Sequence, residues 1–162
     1  DGYIFKGWYI DNQLVGDQLT YAFNAKDDVS PIAQFERKSF AFHYNKKGDD
    51  YEIRLNDNDA TRQTIQYGKE YILYLKSSVT VHGPVIDAET IFELGNFELN
   101  GSTQASITHQ GEDKGGSPTI QEGRLRVICR GEAHVRVRRK SVHRYPGHRD
   151  DHEETYDRYI DN

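Results

Sequence analysis

Between residues 40 and 137 the chain is cut into runs of four or five β-branched and aromatic residues: Phe40 to Tyr44, Tyr51 to Leu55, Tyr71 to Leu75, Val79 to His82, Thr90 to Leu94, Ala105 to Thr108, Leu125 to Cys129 and His134 to Val137. Gly, Asn, Asp or Pro bounds these runs. Such frequent punctuation predicts an all-β protein with the strand rhythm of a sandwich or small barrel. Lys46-Lys47-Gly48-Asp49-Asp50 reads as a hairpin loop, and Asn56 to Asp59 and Gly111 to Ser117 read as exposed loops. The nearly continuous apolar run Tyr71 to Leu75 suits a central strand buried on both faces.

Composition agrees with thin sheets. Only 35% of residues are hydrophobic, yet 12% are aromatic, so a few large rings must supply much of any core. A net charge of -5 argues against general nucleic-acid binding. Cys129 is the single cysteine, so an intrachain disulfide and a cysteine-based zinc site are both excluded, and the thiol is expected to be a small buried hydrophobe. No apolar run is long enough for a membrane-spanning helix or a signal peptide, so no membrane insertion is expected. Methionine is absent even at position 1, which suggests a processed chain or a piece of a longer one.

Residues 2 to 11, Gly-Tyr-Ile-Phe-Lys-Gly-Trp-Tyr-Ile-Asp, concentrate four aromatic rings and two glycines in ten positions. Gly16, Tyr21-Ala22-Phe23, Asp27-Asp28 and Ala33-Gln34-Phe35 follow in order. This stretch, about residues 1 to 36, resembles the closing part of the Listeria–Bacteroides repeat, or internalin B-repeat, with its Gly-Tyr-x-Phe-x-Gly-Trp-Tyr-x-Asp pattern. The resemblance implies a small β-grasp-like module strung with others along secreted or surface-anchored bacterial and phage proteins, with no catalytic residue. It also implies that Tyr3, Phe5, Trp8, Phe23 and Phe35 pack together as the module's core. Tyr67-Gly68-Lys69-Glu70-Tyr71 is similar to the strand entry of immunoglobulin-like modules. The expected organisation is therefore a partial β-grasp-like repeat module over 1–37, an immunoglobulin-like β-sandwich over 38–140 and a short arm over 141–162.

The segment Arg124 to Lys140 carries the main candidate site. If it folds as a hairpin, alternation sets Arg124 and Arg126 on one face of the first strand and His134, Arg136 and Arg138 on one face of the second, forming an arginine plate for an anion or an acidic partner. The acidic tail that follows, with Asp150, Asp151, Glu153, Glu154 and Asp157, supplies such a partner within the chain. Asp150 to Tyr159 reads as a short helix after the Pro146-Gly147 turn, acidic early and basic late, acting as an arm that docks through Tyr156, Tyr159 and Ile160.

Metal and catalytic motifs fare worse. His148 and His152 have the spacing of a zincin pair, but Arg149 stands where the general-base Glu belongs, and Asp57-Asn58-Asp59 lacks the Gly and distant Glu of a calcium loop. There is no nucleophile elbow and no phosphate-cradling loop, and the Glu89/Glu93 pair reads as surface, so no enzyme, metal or cofactor is expected. The sequence thus predicts a structural and interaction module of an extracellular assembly, a bacterial surface adhesin or a virion fibre or decoration protein, whose partners are copies of itself or neighbouring structural proteins. The alternative is a carbohydrate-binding module for anionic glycans.

Overall fold

The structure, a computed structural model, describes residues 2–23, 28–80, 84–110, 118–145 and 152–161. Thirteen strands run in chain order: β1 Tyr3–Ile10, β2 Gln13–Gly16, β3 Ile32–Arg37, β4 Ser39–His43, β5 Tyr51–Leu55, β6 Arg62–Gln66, β7 Glu70–Thr80, β8 Val85–Glu93, β9 Phe97–Glu98, β10 Gln104–Gln110, β11 Pro118–Cys129, β12 Arg136–Tyr145 and β13 His152–Tyr159. Every pairing is antiparallel, and the described residues contain no helix. The chain is all-β, as its punctuation predicts.

Residues 2–37 form a three-stranded sheet in the order β2-β1-β3. Asp11 and Asn12 both have positive φ, 47° and 63°, the geometry of a tight two-residue hairpin turn whose twist matches that of its strands. A bulge between Phe5 and Gly7 shifts the pairing with β3. Because of that extra residue Phe5 and Trp8, three positions apart, share a face with Phe35.

The ring cluster differs from the expected one. Phe5 meets Trp8 and Phe35, with centroids 6.0 and 5.5 Å away, and Trp8 stacks on Tyr21, which stacks on Phe23. Tyr3 turns away to pack edge-on against Tyr67, beyond the sheet. Trp8 is only half-buried and Phe35 is 61% exposed, because the described residues provide no second layer over this sheet. The join to the rest of the chain is a tyrosine clasp. Gly2 lies so close to the Tyr67 ring that any Cβ would overlap it, Arg37 donates to the Tyr67 carbonyl at 2.7 Å, and Lys38 N–H donates to Gly2 at 2.7 Å.

Two four-stranded sheets follow, a back sheet β5-β7-β11-β9 and a front sheet β10-β8-β12-β13, with the two-stranded sheet β4-β6 beside them. Apolar residues from all three close the main core: Phe42 and Ile65 from the pair, Ile53, Leu73, Leu75 and Val127 from the back sheet, Phe92 and Val137 from the front. On the other face of β7, Tyr74 is 3% exposed because the guanidinium groups of Arg54 and Arg124 lie over its ring, 4.0 and 5.0 Å from the centroid. The central strand is therefore covered on both faces, one of them by arginine. Val79 and Thr80 belong to this same long strand and do not begin another, while residues 81–82 of that expected run lie outside the described residues.

Three local expectations are corrected. Lys46 to Asp50 does turn back on itself, with Lys47 bridged antiparallel to Glu52 and Gly48 N–H donating to Tyr51 O at 3.0 Å, but it does not join β4 to β5 as a hairpin: β4 pairs with β6 and β5 with β7. Arg124 to Lys140 is no hairpin either, since β11 belongs to the back sheet and β12 to the front. Ala133 and Val135, each 2% exposed, account for this, because the crossing segment buries them in the core where a hairpin tip would leave them in water. Finally, the tail expected to be helical is strand β13, hydrogen-bonded along β12 from Arg138↔Tyr159 to Tyr145↔His152. Its eight residues are all exposed, so the backbone ladder holds it rather than an apolar face.

The tail closes with a latch. Ile160 N–H donates to Val137 O at 3.0 Å, and Asp161, 5% exposed, accepts from Asn45 Nδ2 at 3.0 Å and from the Tyr51 hydroxyl at 3.3 Å. Burial and then the Asp161 carboxylate push the Tyr51 phenol up to about 12.

Burial ranks the aromatic residues for stability. Phe92→Ala should lower the unfolding free energy by about 3 to 5 kcal/mol, whereas Trp8→Ala should cost less than half as much, both measured by urea titration. Equal losses would mean that the amino-terminal sheet is as well covered as the sandwich.

Candidate functional site at the open end of the sandwich

The plate residues are dispersed. Arg124 lies over Tyr74 and pairs with Asp57 at 3.1 Å, and Arg126, 78% exposed at its side chain, faces Glu70 at 3.7 Å. In the front sheet, Arg136 covers the Tyr159 ring at 4.1 Å and Arg138 bridges Glu93 at 3.5 Å and Asp157 at 2.8 Å. His134 is exposed in the crossing segment, beside Gly95, whose φ of +60° favours glycine and where a Cβ would come within 2.8 Å of the His134 carbonyl oxygen. These five residues do not share one surface.

The tail residues meet β12 along its length. Glu153 pairs with Arg144 at 3.0 Å, Glu154 accepts from Tyr156 and lies 3.1 Å from His152, and the Tyr159 hydroxyl donates to Glu93 at 3.3 Å. The Tyr156 hydrogen bond lowers the Glu154 carboxyl and raises the Tyr156 phenol. Asp150 and Asp151 lie outside the described residues, as do His148 and the Gly111 to Ser117 loop. Among the described residues no cluster of three or more His, Cys, Asp or Glu is placed to hold a metal. Asp57 and Asp59 are already matched by Arg124 and Lys46.

The structure assembles a different site, on the inner face of the front sheet. Strand alternation puts Val137, Arg139, Ser141, His143 and Tyr145 of β12 on that face, cross-strand from Phe92, Thr90 and Ala88 of β8 and from Arg158, Tyr156, Glu154 and His152 of β13. At Val137 and Phe92 this face is apolar core. Two residues along, it turns polar.

There Ser77 Oγ lies 2.7 Å from Thr90 Oγ1 and 3.1 Å from His109 Nε2, and all three side chains are fully buried. Arg139 donates to Thr90 Oγ1 at 3.1 Å and to Asp50, the last residue of the crossing loop, which thereby ties the back sheet to the front. Ser77 beside His109 does not make an activated nucleophile. Ser77 has no exposed surface, and among the described residues His109 Nδ1 has no hydrogen-bond partner to orient it. Burial first, and then the Arg139 charge, hold His109 below its ordinary value of 6.5, which favours the neutral ring.

Beyond this plug Val79 of β7 still packs on Ala88 of β8, with Val85 against them, and along β12 and β13 lies a concavity of about 270 Å³ lined by Arg139, Ser141, His143, Tyr145, Tyr156 and Arg158. A second lobe of about 420 Å³ adjoins it, sharing Arg139, Ser141, His143 and Arg158, and is bounded on the far side by Asp49 and Asp50. The rings form a run: His143 lies edge-on to Tyr156 at 4.7 Å, and Tyr145 stacks with His152 at 5.3 Å. Sequence reasoning ended this apolar run at Val137 and so did not set Arg139, Ser141, His143 and Tyr145 together on one face. The signal was present in the continued alternation Val137-Arg139-Ser141-His143-Tyr145.

No known protein family, curated protein or solved structure matches this chain.

The buried imidazole sets a pH dependence. With His109 depressed in the folded state, the unfolded chain binds more protons, so this contribution to stability is intact above about pH 6.5 and is lost progressively as pH falls below it. Chemical denaturation at a series of pH values should show that loss, and His109→Gln should flatten the curve there. An unchanged slope in the variant would mean that His109 is not the group responsible.

Proposed function

We propose that the chain is a non-enzymatic structural and interaction module of a larger extracellular assembly, bacterial or virion, that joins other modules through its amino-terminal sheet. In this reading the three-stranded sheet is the repeat-like, β-grasp-related unit and the packed pair of sheets is the immunoglobulin-like one. A single observation carries the proposal: the amino-terminal sheet presents apolar side chains on both faces. Ile4, Leu14 and Ile32 are 47%, 56% and 61% exposed on one, and Phe35 and Phe23 are 61% and 46% exposed among the rings of the other. A sheet is stable when one face is buried against another layer, and contiguous exposed apolar surface marks a contact.

A second copy supplies that layer in the simplest way, because an apolar patch edged by the Lys6–Glu36 pair at 3.3 Å can complement itself across a two-fold axis. Sedimentation velocity across about 1 to 200 µM, the range of weak specific contacts, should show concentration-dependent association. Ile32→Lys, at an exposed position within that patch, should leave a folded monomer with little change in Tm, whereas Phe35→Lys, on the opposite face, should leave the association in place. A wild-type chain that stays monomeric throughout, and behaves like the Ile32→Lys variant, would overturn the proposal.

A further inference from the structure

At Arg139 and Arg158 the front sheet sets two arginines at directly opposed positions on β12 and β13, with side chains on the same face. Like charges in that relation repel, so each needs a counter-ion. Arg139 has one, because Asp50 pairs with it beneath the concavity. Arg158 has none among the described residues, although it is exposed and lines both lobes. The nearest acid along its own strand face, Glu154, is engaged by Tyr156 and His152. One arginine fork is thus left open toward a cavity.

The rest of the lining is not that of a simple anion site. Tyr156 commits its hydroxyl to Glu154 and so offers its ring, and Tyr145 and His143 extend that surface. In the adjoining lobe Asp50 is taken by Arg139, while Asp49 would repel a polyanion and its oxygens can accept from hydroxyl groups. A fork for one carboxylate, rings for a C–H face and acceptors for hydroxyls are together the complement of a carboxylated, polyhydroxylated ring.

We infer that this concavity binds the uronate residue of an acidic glycan, its carboxylate on Arg158 and its ring against Tyr145 and Tyr156. The site lies in the sandwich, away from the amino-terminal sheet, so it stands or falls independently of self-association.

The test is an NMR titration of the full chain with D-glucuronate, a hyaluronan tetrasaccharide, glucose and dextran sulfate. Both acidic sugars should shift the signals of His143, Tyr145 and Arg158, and glucose should bind about tenfold more weakly or not at all, as expected when a charge-assisted hydrogen-bond pair is missing. A tetrasaccharide that binds more tightly than the monosaccharide identifies a glycan chain, and equal affinity identifies the free sugar acid. Arg158→Gln and Tyr145→Ala should each weaken binding about tenfold, Arg158→Lys should retain part of it, and Arg126→Gln on the back sheet should change nothing. Amide spectra of the variants confirm that each is folded. The inference is overturned if neither acidic sugar shifts these signals up to about 20 mM, well above a roughly millimolar Kd. It is equally overturned if Arg126→Gln weakens binding as much as Arg158→Gln, or if dextran sulfate outcompetes the sugars at these residues, since either would mark non-specific attraction.

Discussion

The pairing of Arg139 with Asp50 sets where this sandwich is closed and where it opens. On one side of it Leu75, Phe92 and Val137 pack in the main core, and on the other only the small cluster Val79, Ala88 and Val85 joins the sheets beside a polar cavity. Burying a guanidinium is costly unless its charge is matched, and Arg139 meets that demand with Asp50 from the back-sheet side and with a hydrogen bond to Thr90 of its own sheet, although its Nε finds no partner among the described residues. Ser77 and His109 complete the plug, so the core ends in a hydrogen-bonded layer rather than in frayed apolar side chains. The same pairing leaves Arg158 as the uncompensated member of a cross-strand pair.

Much of the fold was legible because turn residues cut the chain where strands end. Tyr51 to Leu55 is a strand with those very bounds, and Leu73, Leu75, Phe92 and Val127 lie in the core. Which strands pair was not legible. Proximity in sequence suggests that β4 pairs with β5 and that Arg124 to Lys140 is a hairpin, yet both connections cross between sheets. Local patterning carries no term for the burial of Ala133 and Val135, which decides the second case. The tail misled for a related reason. Acidic-early, basic-late patterning suits a helix dipole, but an open edge of β12 offers eight residues of backbone pairing, and that ladder prevails where few apolar side chains compete.

The candidate site was hidden by parity. Read as surface charge, Arg136 and Arg138 draw attention, while Arg139, one position out of phase, points inward beside Val137. The outward arginines are neutralised by Glu93, Asp157 and the Tyr159 ring and serve the sheet's own stability. Sheet edges thus give the molecule two distinct surfaces: an apolar one where the amino-terminal sheet has no second layer among the described residues, and a cationic, aromatic one where β13 projects beside the cavity.

A double-mutant cycle on Asp50 and Arg139, using Asp50→Asn and Arg139→Gln, measures the interaction on which this arrangement depends. Because Asp50 is partly solvent-exposed, its attraction to Arg139 is screened, and a coupling energy of about 1 to 2 kcal/mol is expected. Each single substitution should also loosen Thr90 and His109, seen as faster amide exchange in β8 and β10. A coupling energy indistinguishable from zero, with exchange in those strands unchanged, would contradict the role given to the pair in joining the two sheets.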